Sequence, residues 1–204
     1  ILVTDRLVCA RCGPGFGLVL LADRIENRRV LSGSLGCANC RELYPIADGF
    51  GDLRFPRLPA VTGDPLAPDD PEEAVRLGAL LGVREGPGVI VLIGPIASAA
   101  PRLARMIPEI EVLAVYSGLR DREEEEGVTR IEVSDSLPLE SGSVRGVVLQ
   151  GRAVRPLVGE ALRSLAPGGR LVLLGAVEEA ATELVARGAK ILMRGEQALV
   201  AVAG

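Results

Sequence analysis

The sequence predicts an α/β protein in which a largely parallel sheet follows a small β module that carries cysteines. Seven apolar runs lie between residues 89 and 203, and helix-like stretches separate several of them. This alternation is typical of a doubly wound, mostly parallel sheet. The last two runs flank the short turn 195–197, which indicates an antiparallel hairpin at one edge. All four cysteines fall within the first forty residues.

Length and composition exclude several classes of protein. The chain has 204 residues, of which 48% are hydrophobic, and a net charge of -4. These values predict a packed, soluble protein with no basic surface for direct DNA binding. No apolar stretch reaches the ~20 residues of a membrane span, and no signal segment opens the chain. We therefore expect a cytoplasmic protein without membrane contact.

Two residue types are missing, and this limits the chemistry. There is no histidine, which excludes the commonest general base and any histidine-ligated metal. There is no tryptophan, and only two tyrosines and three phenylalanines are present. Aromatic platforms for single-stranded nucleic acid are therefore scarce.

The cysteines form two CxxC pairs, Cys9 with Cys12 and Cys37 with Cys40. Each pair places two thiolates on one tight turn, and two such turns complete a tetrahedral site. The stretch between the pairs is longer than usual, but a β-hairpin can accommodate it. Disulfides or a redox CxxC are the alternatives, and neither accounts for two such turns in an intracellular chain. We expect Zn²⁺ in a structural role, because four thiolates leave no open position.

The residues after the second pair resemble a known family. Tyr44-Pro45-Ile46, Asp48-Gly49 and Leu53 follow the last cysteine in the order of the zinc-ribbon family that includes the activator subunit of tRNA, rRNA and protein methyltransferases. The match covers residues 7–55. This resemblance implies a zinc ribbon over residues 1–55. It also implies a macromolecular setting, since the family docks beside a methyltransferase or precedes one in the same chain.

A proline-rich connector follows. Five prolines between residues 55 and 71 disfavour a helix and favour an extended chain. The connector is predicted over residues 56–71 and the second domain over residues 72–204. Asp70 is a predicted N-cap with Pro71 at the first helical position of a helix through residue 82.

Two stretches of the second domain resemble class I S-adenosylmethionine-dependent methyltransferases. Asp135, Leu137-Pro138 and Gly142-Ser143 match the region between the third and fourth strands of that family. EALRSLAPGGRLVLL matches its helix, Pro-Gly-Gly turn and fifth strand. The resemblance implies a Rossmann-like, seven-strand sheet, mostly parallel with an antiparallel edge hairpin.

The same resemblance implies where a cofactor would lie. The matching positions are Gly94, Ser98, Tyr116, Asp135 and Ser136. The family's first loop is Gly-x-Gly-x-Gly, and here its second and third glycines become Ile96 and Ser98. A side chain at Ile96 removes the freedom to adopt positive φ and takes up space that the ligand needs.

Of two other cofactor contacts in the family, one is replaced in this chain and one is kept. The acidic residue that binds the ribose is replaced by Tyr116 or Ser117. Asp135, with Ser136 beside it, matches the residue that contacts the adenine, and it would equally suit a cap of the following turn. S-adenosylmethionine binding is therefore doubtful.

Sequence reasoning identifies no catalytic residue. The amino-methylating members carry an Asn/Asp-Pro-Pro-aromatic motif after the fourth strand, where this chain has LQGRAVRP. Arg152 and Arg155 at this point either contact an anion or a partner or form a solvated rim. The charge run 122–127 is predicted to be solvated. The chain between the second and third strands is short and polar, which predicts that the crossover helix is missing.

Three functional hypotheses follow. The first is a degenerate methyltransferase that acts as a scaffold or regulatory subunit for a protein or RNA-modifying partner, as part of a homo- or hetero-oligomer. The second is an active S-adenosylmethionine-dependent methyltransferase for RNA or protein with an atypical cofactor loop, because methyl transfer needs mainly proximity and alignment. The third is an adaptor in which the zinc module recruits a partner and the α/β domain supports it.

Overall fold

The structure is a computed structural model that describes residues 3–57, 65–175 and 177–203. The described residues form one mixed sheet of twelve strands. The N-terminal strands are β1 Val8–Cys9, β2 Gly13–Glu26, β3 Arg29–Cys37, β4 Leu43–Ala47 and β5 Phe50–Asp52. Neighbouring members of this group pair antiparallel, from β1 at the sheet edge to β5.

The remaining strands and the helices alternate along the chain. The strands are β6 Gly88–Ile93, β7 Ile110–Val115, β8 Val128–Glu132, β9 Val144–Gln150, β10 Leu165–Leu174, β11 Lys190–Arg194 and β12 Ala198–Val202. The α-helices are α1 Pro71–Leu81, α2 Ala100–Met106, α3 Val154–Ser164 and α4 Val177–Ala186. The strand order is β8-β7-β6-β9-β10-β12-β11. Strands β6 to β10 are parallel, and β12 is antiparallel to both its neighbours.

Two apolar cores lie on the two faces of the sheet. One core includes Leu77 of α1 and Leu103 of α2, and the other includes Leu157 of α3 and Leu184 of α4. The apolar runs of the central strands are buried on both faces, which is typical of parallel strands covered by helices. The predicted parallel strands and the antiparallel hairpin β11–β12 at one edge are confirmed, but the sheet as a whole is mixed.

Helix α1 begins and ends where the sequence indicates. The Asp70 side chain accepts a hydrogen bond from the Glu72 backbone N–H at 2.9 Å, and Pro71 is the first helical residue. Gly82 ends the helix with φ of 66°, a conformation that glycine adopts without strain. The predicted cap and helix are both confirmed.

Two local features depart from a regular doubly wound sheet. The connection from β7 to β8 contains only the short 3₁₀ turn Ser117–Leu119 and a loop, so the crossover helix is missing as predicted. The Pro-Gly-Gly stretch, expected as a turn between a helix and a strand, does not lie outside the strand. It lies within β10, where the pairing with β9 is irregular between Leu165 and Arg170.

The sheet has twelve strands where the sequence predicts seven, because the N-terminal strands continue it. Strand β5 pairs in parallel with β8, matching Phe50 with Arg130 and Asp52 with Glu132. Leu7 also bridges to Leu139. Of the predicted connector 56–71, residues 65–70 are described as irregular chain, whereas residues 58–64 lie outside the described residues.

None of the helices in the described ranges is both long enough and apolar enough to cross a membrane.

Candidate metal centre and cofactor edge

The four cysteines and the predicted cofactor residues lie at the same edge of the sheet. Strand β4 runs antiparallel to β5, so the turn that precedes β4 lies where β5 ends. Strand β5 is parallel to β8, so its end coincides with the carboxyl ends of the parallel strands. Ligands of open α/β sheets bind at this edge. We call it the carboxyl edge.

The structure brings all four predicted metal ligands together. The Sγ atoms of Cys9, Cys12, Cys37 and Cys40 all lie within 4.8 Å of one another. The Cys9–Cys40 and Cys12–Cys37 pairs are 3.6 Å and 3.9 Å apart. A tetrahedron with metal–sulfur bonds of ~2.3 Å has edges of about 3.8 Å, so the spacing suits one four-coordinate ion. Both separations exceed the ~2.05 Å of a disulfide bond.

A buried tyrosine supports this cluster. The Tyr44 ring is fully buried, and its hydroxyl lies 3.3 Å from Cys9 Sγ. The same hydroxyl accepts a hydrogen bond from the Arg11 backbone N–H at 3.2 Å, which leaves its proton for the sulfur. The Cys12 backbone N–H also donates to Cys9 Sγ, at 3.4 Å. Burial alone would raise the pKa of the Cys9 thiol, but these hydrogen bonds outweigh it and lower the pKa to about 7.

The Tyr44 hydroxyl gives a first testable prediction. In Tyr44→Phe the ring still fills the core, but Cys9 loses a donor that orients and stabilises its thiolate. We expect a protein that folds and whose Zn²⁺ affinity falls roughly 10–100-fold, measured by competition with a chromophoric chelator. Tyr116→Phe changes the other tyrosine of the chain and should leave the affinity unchanged. Equal affinities for Tyr44→Phe and the parent would show that the hydroxyl does not support the metal.

A compact charge cluster joins β5 to β8 at the carboxyl edge. Asp52 and Glu132 face each other across the two strands, and each side chain is about nine-tenths buried. Arg54 contacts Asp52 at 2.6 Å and Glu132 at 3.6 Å, and Arg120 contacts Glu132 at 2.8 Å. Burial opposes ionisation, but the hydrogen bonds from Arg54 hold the pKa of Asp52 below its usual value. The cluster is neutral in sum, and we assign it a structural role.

The acidic run 122–127 is only partly solvated, which corrects the sequence interpretation. Glu124 accepts a hydrogen bond from Arg29 Nε at 2.6 Å and forms an ion pair with Arg130. Arg29 also donates to the backbone oxygens of Glu125 and Val128. These contacts tie the loop between β7 and β8 to the N-terminal strands.

The predicted cofactor loop forms a different structure from a glycine-rich turn. Gly94 has φ of 91°, and a Cβ at this position would overlap the carbonyl oxygen of Gln150. Residues Pro95–Ala99 form a 3₁₀ turn in which Ile96 is only 2% exposed. Ser98, the third predicted position of the loop, is half-buried in the same turn. The glycine is thus required by strand packing, and the residues after it form a closed apolar turn.

The position of the ribose acid is part of an apolar cluster. Tyr116 follows β7, and its backbone N–H donates to the Ile131 oxygen at 3.0 Å. Its ring packs in the same core as Leu66, and both side chains lie close to Gly118. The Ala67 N–H donates to the Pro95 oxygen at 3.2 Å, which holds this part of the connector against the 3₁₀ turn. No sequence signal in the proline-rich connector pointed to Leu66.

The remaining predicted residues follow β8 and β9. Asp135 is exposed and Ser136 is half-buried in the bend after β8, so both lie at the carboxyl edge. Arg152 and Arg155 follow β9 and are exposed at that edge. The predicted cofactor residues thus follow the ends of β6, β7 and β8, at one edge of the sheet.

Neither a family model nor a curated protein sequence matches the chain. Solved structures, in contrast, do match the chain. The MycE methyltransferase of the mycinamycin biosynthetic pathway, solved with Mg and SAH, matches with a TM-score of 0.52 and 11% identity over 68% of this chain and 49% of its own.

Two further methyltransferases match at lower scores. The tRNA (m1A58) methyltransferase TrmI from Aquifex aeolicus matches with a TM-score of 0.49 and 10% identity, over 69% of this chain and 71% of its own. The precorrin-6y C5,15-methyltransferase from Geobacter metallireducens GS-15 matches with a TM-score of 0.48 and 14% identity, over 65% and 88%. The strand order and the antiparallel β12 agree with the MycE match, and the chain has this methyltransferase fold.

Proposed function

We propose that this protein is a methyltransferase-fold scaffold or regulatory subunit that does not use S-adenosylmethionine, assists a protein or RNA-modifying partner, and holds a structural Zn²⁺ ion. The observation that carries the proposal is the apolar cluster at the ribose position. Tyr116 stands where the family has a carboxylate, and it packs against the same apolar core as Leu66 of the connector. Losing a charged hydrogen-bond acceptor weakens binding by about 1.5–3 kcal/mol, or one to two powers of ten.

The closed turn after Gly94 supports the same conclusion. Ile96 is buried in the core, so it cannot be moved aside without opening a cavity. A ligand that needs close approach to this backbone would have to displace the whole turn. The residues present therefore do not fit the methionine end of the cofactor, and we assign the chain no methyl-transfer step.

The proposed Zn²⁺ ion rests on the donor set. Four sulfur ligands at tetrahedral spacing suit Zn²⁺, and a closed shell leaves no position for a substrate. The ion would stabilise strands β1–β4, whose buried side chains share one apolar core with the parallel strands. Its role is structural in this proposal.

An exposed apolar face on the N-terminal strands supports the proposal of a macromolecular partner. Val19, Leu21 and Leu43 are more than half exposed, at 55%, 51% and 52%. The pairing of Val19 with Gly36 and of Gly36 with Leu43 places all three on one face of β2–β4. Clustered exposed apolar side chains are typical of interaction surfaces. The β5 side of the N-terminal strands offers no free edge to a partner, because β5 already pairs with β8 of the same chain.

An active methyltransferase is the second candidate. Gly94 keeps the positive φ of a cofactor-binding glycine, and Asp135 and Ser136 lie exposed or half-buried at the same edge. Methyl transfer demands alignment rather than an acid–base residue, so the missing histidine does not count against it.

Calorimetric titration of the zinc-loaded protein with S-adenosylmethionine and with S-adenosylhomocysteine separates the two candidates. We expect no binding of either compound up to about 1 mM, because the ribose acceptor and the open loop are both missing. Micromolar binding of either compound would contradict the proposal and favour the active enzyme. Copurification of either compound with the protein, detected by mass spectrometry, would do the same.

A further inference from the structure

One side of β2 has no strand against it over much of its length. Strand β3 pairs with the other side over residues 18–26. On the side away from β3, β1 matches β2 only at Gly13 and Gly17. Among the described residues, no further strand pairs with β2. We call the unpaired side of residues 19–26 the free edge of β2.

The hydrogen bonds around Leu18 show which way its backbone groups point. The Leu18 N–H donates to the Leu7 oxygen at 3.3 Å, on the side of β2 away from β3. Cys37, which lies opposite Leu18 on β3, donates its own N–H away from β2, to the Glu42 oxygen at 3.0 Å. Leu18 and Cys37 are therefore a non-hydrogen-bonded pair of the β2–β3 ladder.

Alternation along the strand then assigns the next residues. Hydrogen-bonded and non-hydrogen-bonded pairs alternate in an antiparallel ladder. Val19 and Leu21 therefore bond to β3, whereas Leu20 and Ala22 direct their N–H and C=O groups to the free edge. These outward groups are a ready template for another strand.

The free edge lacks the features that keep sheet edges apart. Residues 18–22 read LVLLA, without a charge or a proline. Val19 and Leu21 are more than half exposed. Natural edge strands carry charges, prolines or bulges, or are covered. Here the first charged residue is Asp23, at the irregularity between Ala22 and Arg24. The apolar segment before it is a pairing surface.

We infer that β2 of a second copy of this chain covers the free edge, antiparallel and related by a two-fold axis. In this register Leu20 lies opposite Ala22 of the second copy, so every outward N–H and C=O of both residues gains a partner. Leu21 lies opposite Leu21 of the second copy, as a non-hydrogen-bonded pair whose side chains approach closely. The match of the edge to itself identifies the occupant.

Other symmetric registers fit less well. A shift by two residues towards the start of β2 would need the Leu18 N–H, which already donates to Leu7. The opposite shift would place the irregularity after Ala22 across from Leu20. In the inferred register the β2 edge has one way to satisfy its outward groups.

The charges beyond the apolar segment do not oppose this pairing. Arg24 pairs within its own chain, with Glu26 at 3.8 Å and Asp48 at 4.0 Å. Asp23 lies opposite Val19 of the second copy, so the two Asp23 residues are about 14 Å apart along the strands. Like charges therefore do not face each other across the pair.

The contact is small, so the dimer is weak. Stable interfaces bury about 1,200–2,000 Å², and two short strand segments bury less. We expect a dissociation constant between about 10 µM and 1 mM. The contact is isologous, so pairing at this edge stops at two copies. The inference goes beyond the proposed function and does not depend on whether S-adenosylmethionine binds.

Sedimentation equilibrium and amide hydrogen exchange of the zinc-loaded protein test the dimer and its place. We expect a monomer–dimer equilibrium up to about 1 mM protein. The Leu20 and Ala22 amides should exchange more slowly as the dimer fraction rises. The Val19 and Leu21 amides should be protected at every concentration, because they bond to β3. A chain that stays monomeric, or a dimer in which the Leu20 and Ala22 amides exchange at an unchanged rate, would overturn the inference.

Matched lysine variants separate edge pairing from packing of the apolar face. Leu21→Lys places two ammonium groups opposite each other at the two-fold axis and should weaken the dimer at least about tenfold. Leu21 is half exposed, so the variant should melt within about 2 °C of the parent. Leu43→Lys makes the same change at an equally exposed residue of the same face, two strands from the edge, and should leave the dimer unchanged. An unchanged dimer in Leu21→Lys, or an equal loss in both variants, would overturn pairing through β2.

Discussion

Removal of the proposed Zn²⁺ ion should unfold β1–β5 and lower the melting temperature of the whole chain. Cys9 and Cys37 are core residues as well as ligands, so their release exposes the apolar side chains packed around them. Structural zinc contributes about 10–16 kcal/mol in isolated zinc fingers. A loss of even ~5 kcal/mol in the free energy of unfolding lowers the melting temperature of a chain of this size by about 10–20 °C. We expect that fall in Cys37→Ser and after chelation, measured by calorimetry.

The control for this experiment lies in the same turn. Ala38→Ser makes a similar chemical change next to Cys37 without touching a ligand, and it should melt within about 2 °C of the parent. Hydrogen exchange should show that protection is lost in β1–β5 and also in β8, which β5 covers. A melting temperature that chelation leaves unchanged would contradict a structural role for the metal.

Replacement of Arg130 should destabilise the protein nearly as much. The Arg130 side chain is 3% exposed. Its guanidinium donates to the backbone oxygens of Leu119, Arg122 and Asp48 and pairs with Glu124. Arg130→Met removes all of these contacts and weakens the loop between β7 and β8. Breaking a buried ion pair from one side costs about 3–5 kcal/mol, measurable by urea unfolding followed by circular dichroism.

A matched exposed arginine calibrates this result. Arg187 pairs with Glu183 on the surface of α4, and its side chain is about half exposed. Arg187→Met should cost less than about 1 kcal/mol, because exposed ion pairs contribute little. Equal losses of unfolding free energy in the two variants would show that the buried Arg130 contacts stabilise the protein no more than an exposed ion pair does.

Much of the fold could be predicted from short stretches of sequence, because the signals are local. Asp70-Pro71 marks the start of α1 through the cap and the fixed φ of proline. The two CxxC turns predict the cysteine cluster, since each turn needs only four residues. The apolar runs predict the strands of the parallel sheet, because burial on both faces leaves no polar alternation.

The features that could not be predicted depend on residues far apart in the chain. Strand β5 has three residues, too few for any periodic signal, and its partner β8 lies beyond the connector. Glu124 is one of four consecutive glutamates, and sequence cannot show which of them meets Arg29 and Arg130. Leu66 lies in a connector whose prolines indicate extended chain but not where that chain packs.

The pairing of β5 with β8 has a consequence for assembly. The strand pairing alone is three residues long and would hold two separate proteins together only weakly. Within one chain, the connector keeps the two strands at an effective concentration in the millimolar range. Their association is then independent of how much protein the cell makes, and the two parts are present in a fixed one-to-one ratio. The contact between β5 and β8 is thus permanent and needs no regulated meeting of separate proteins.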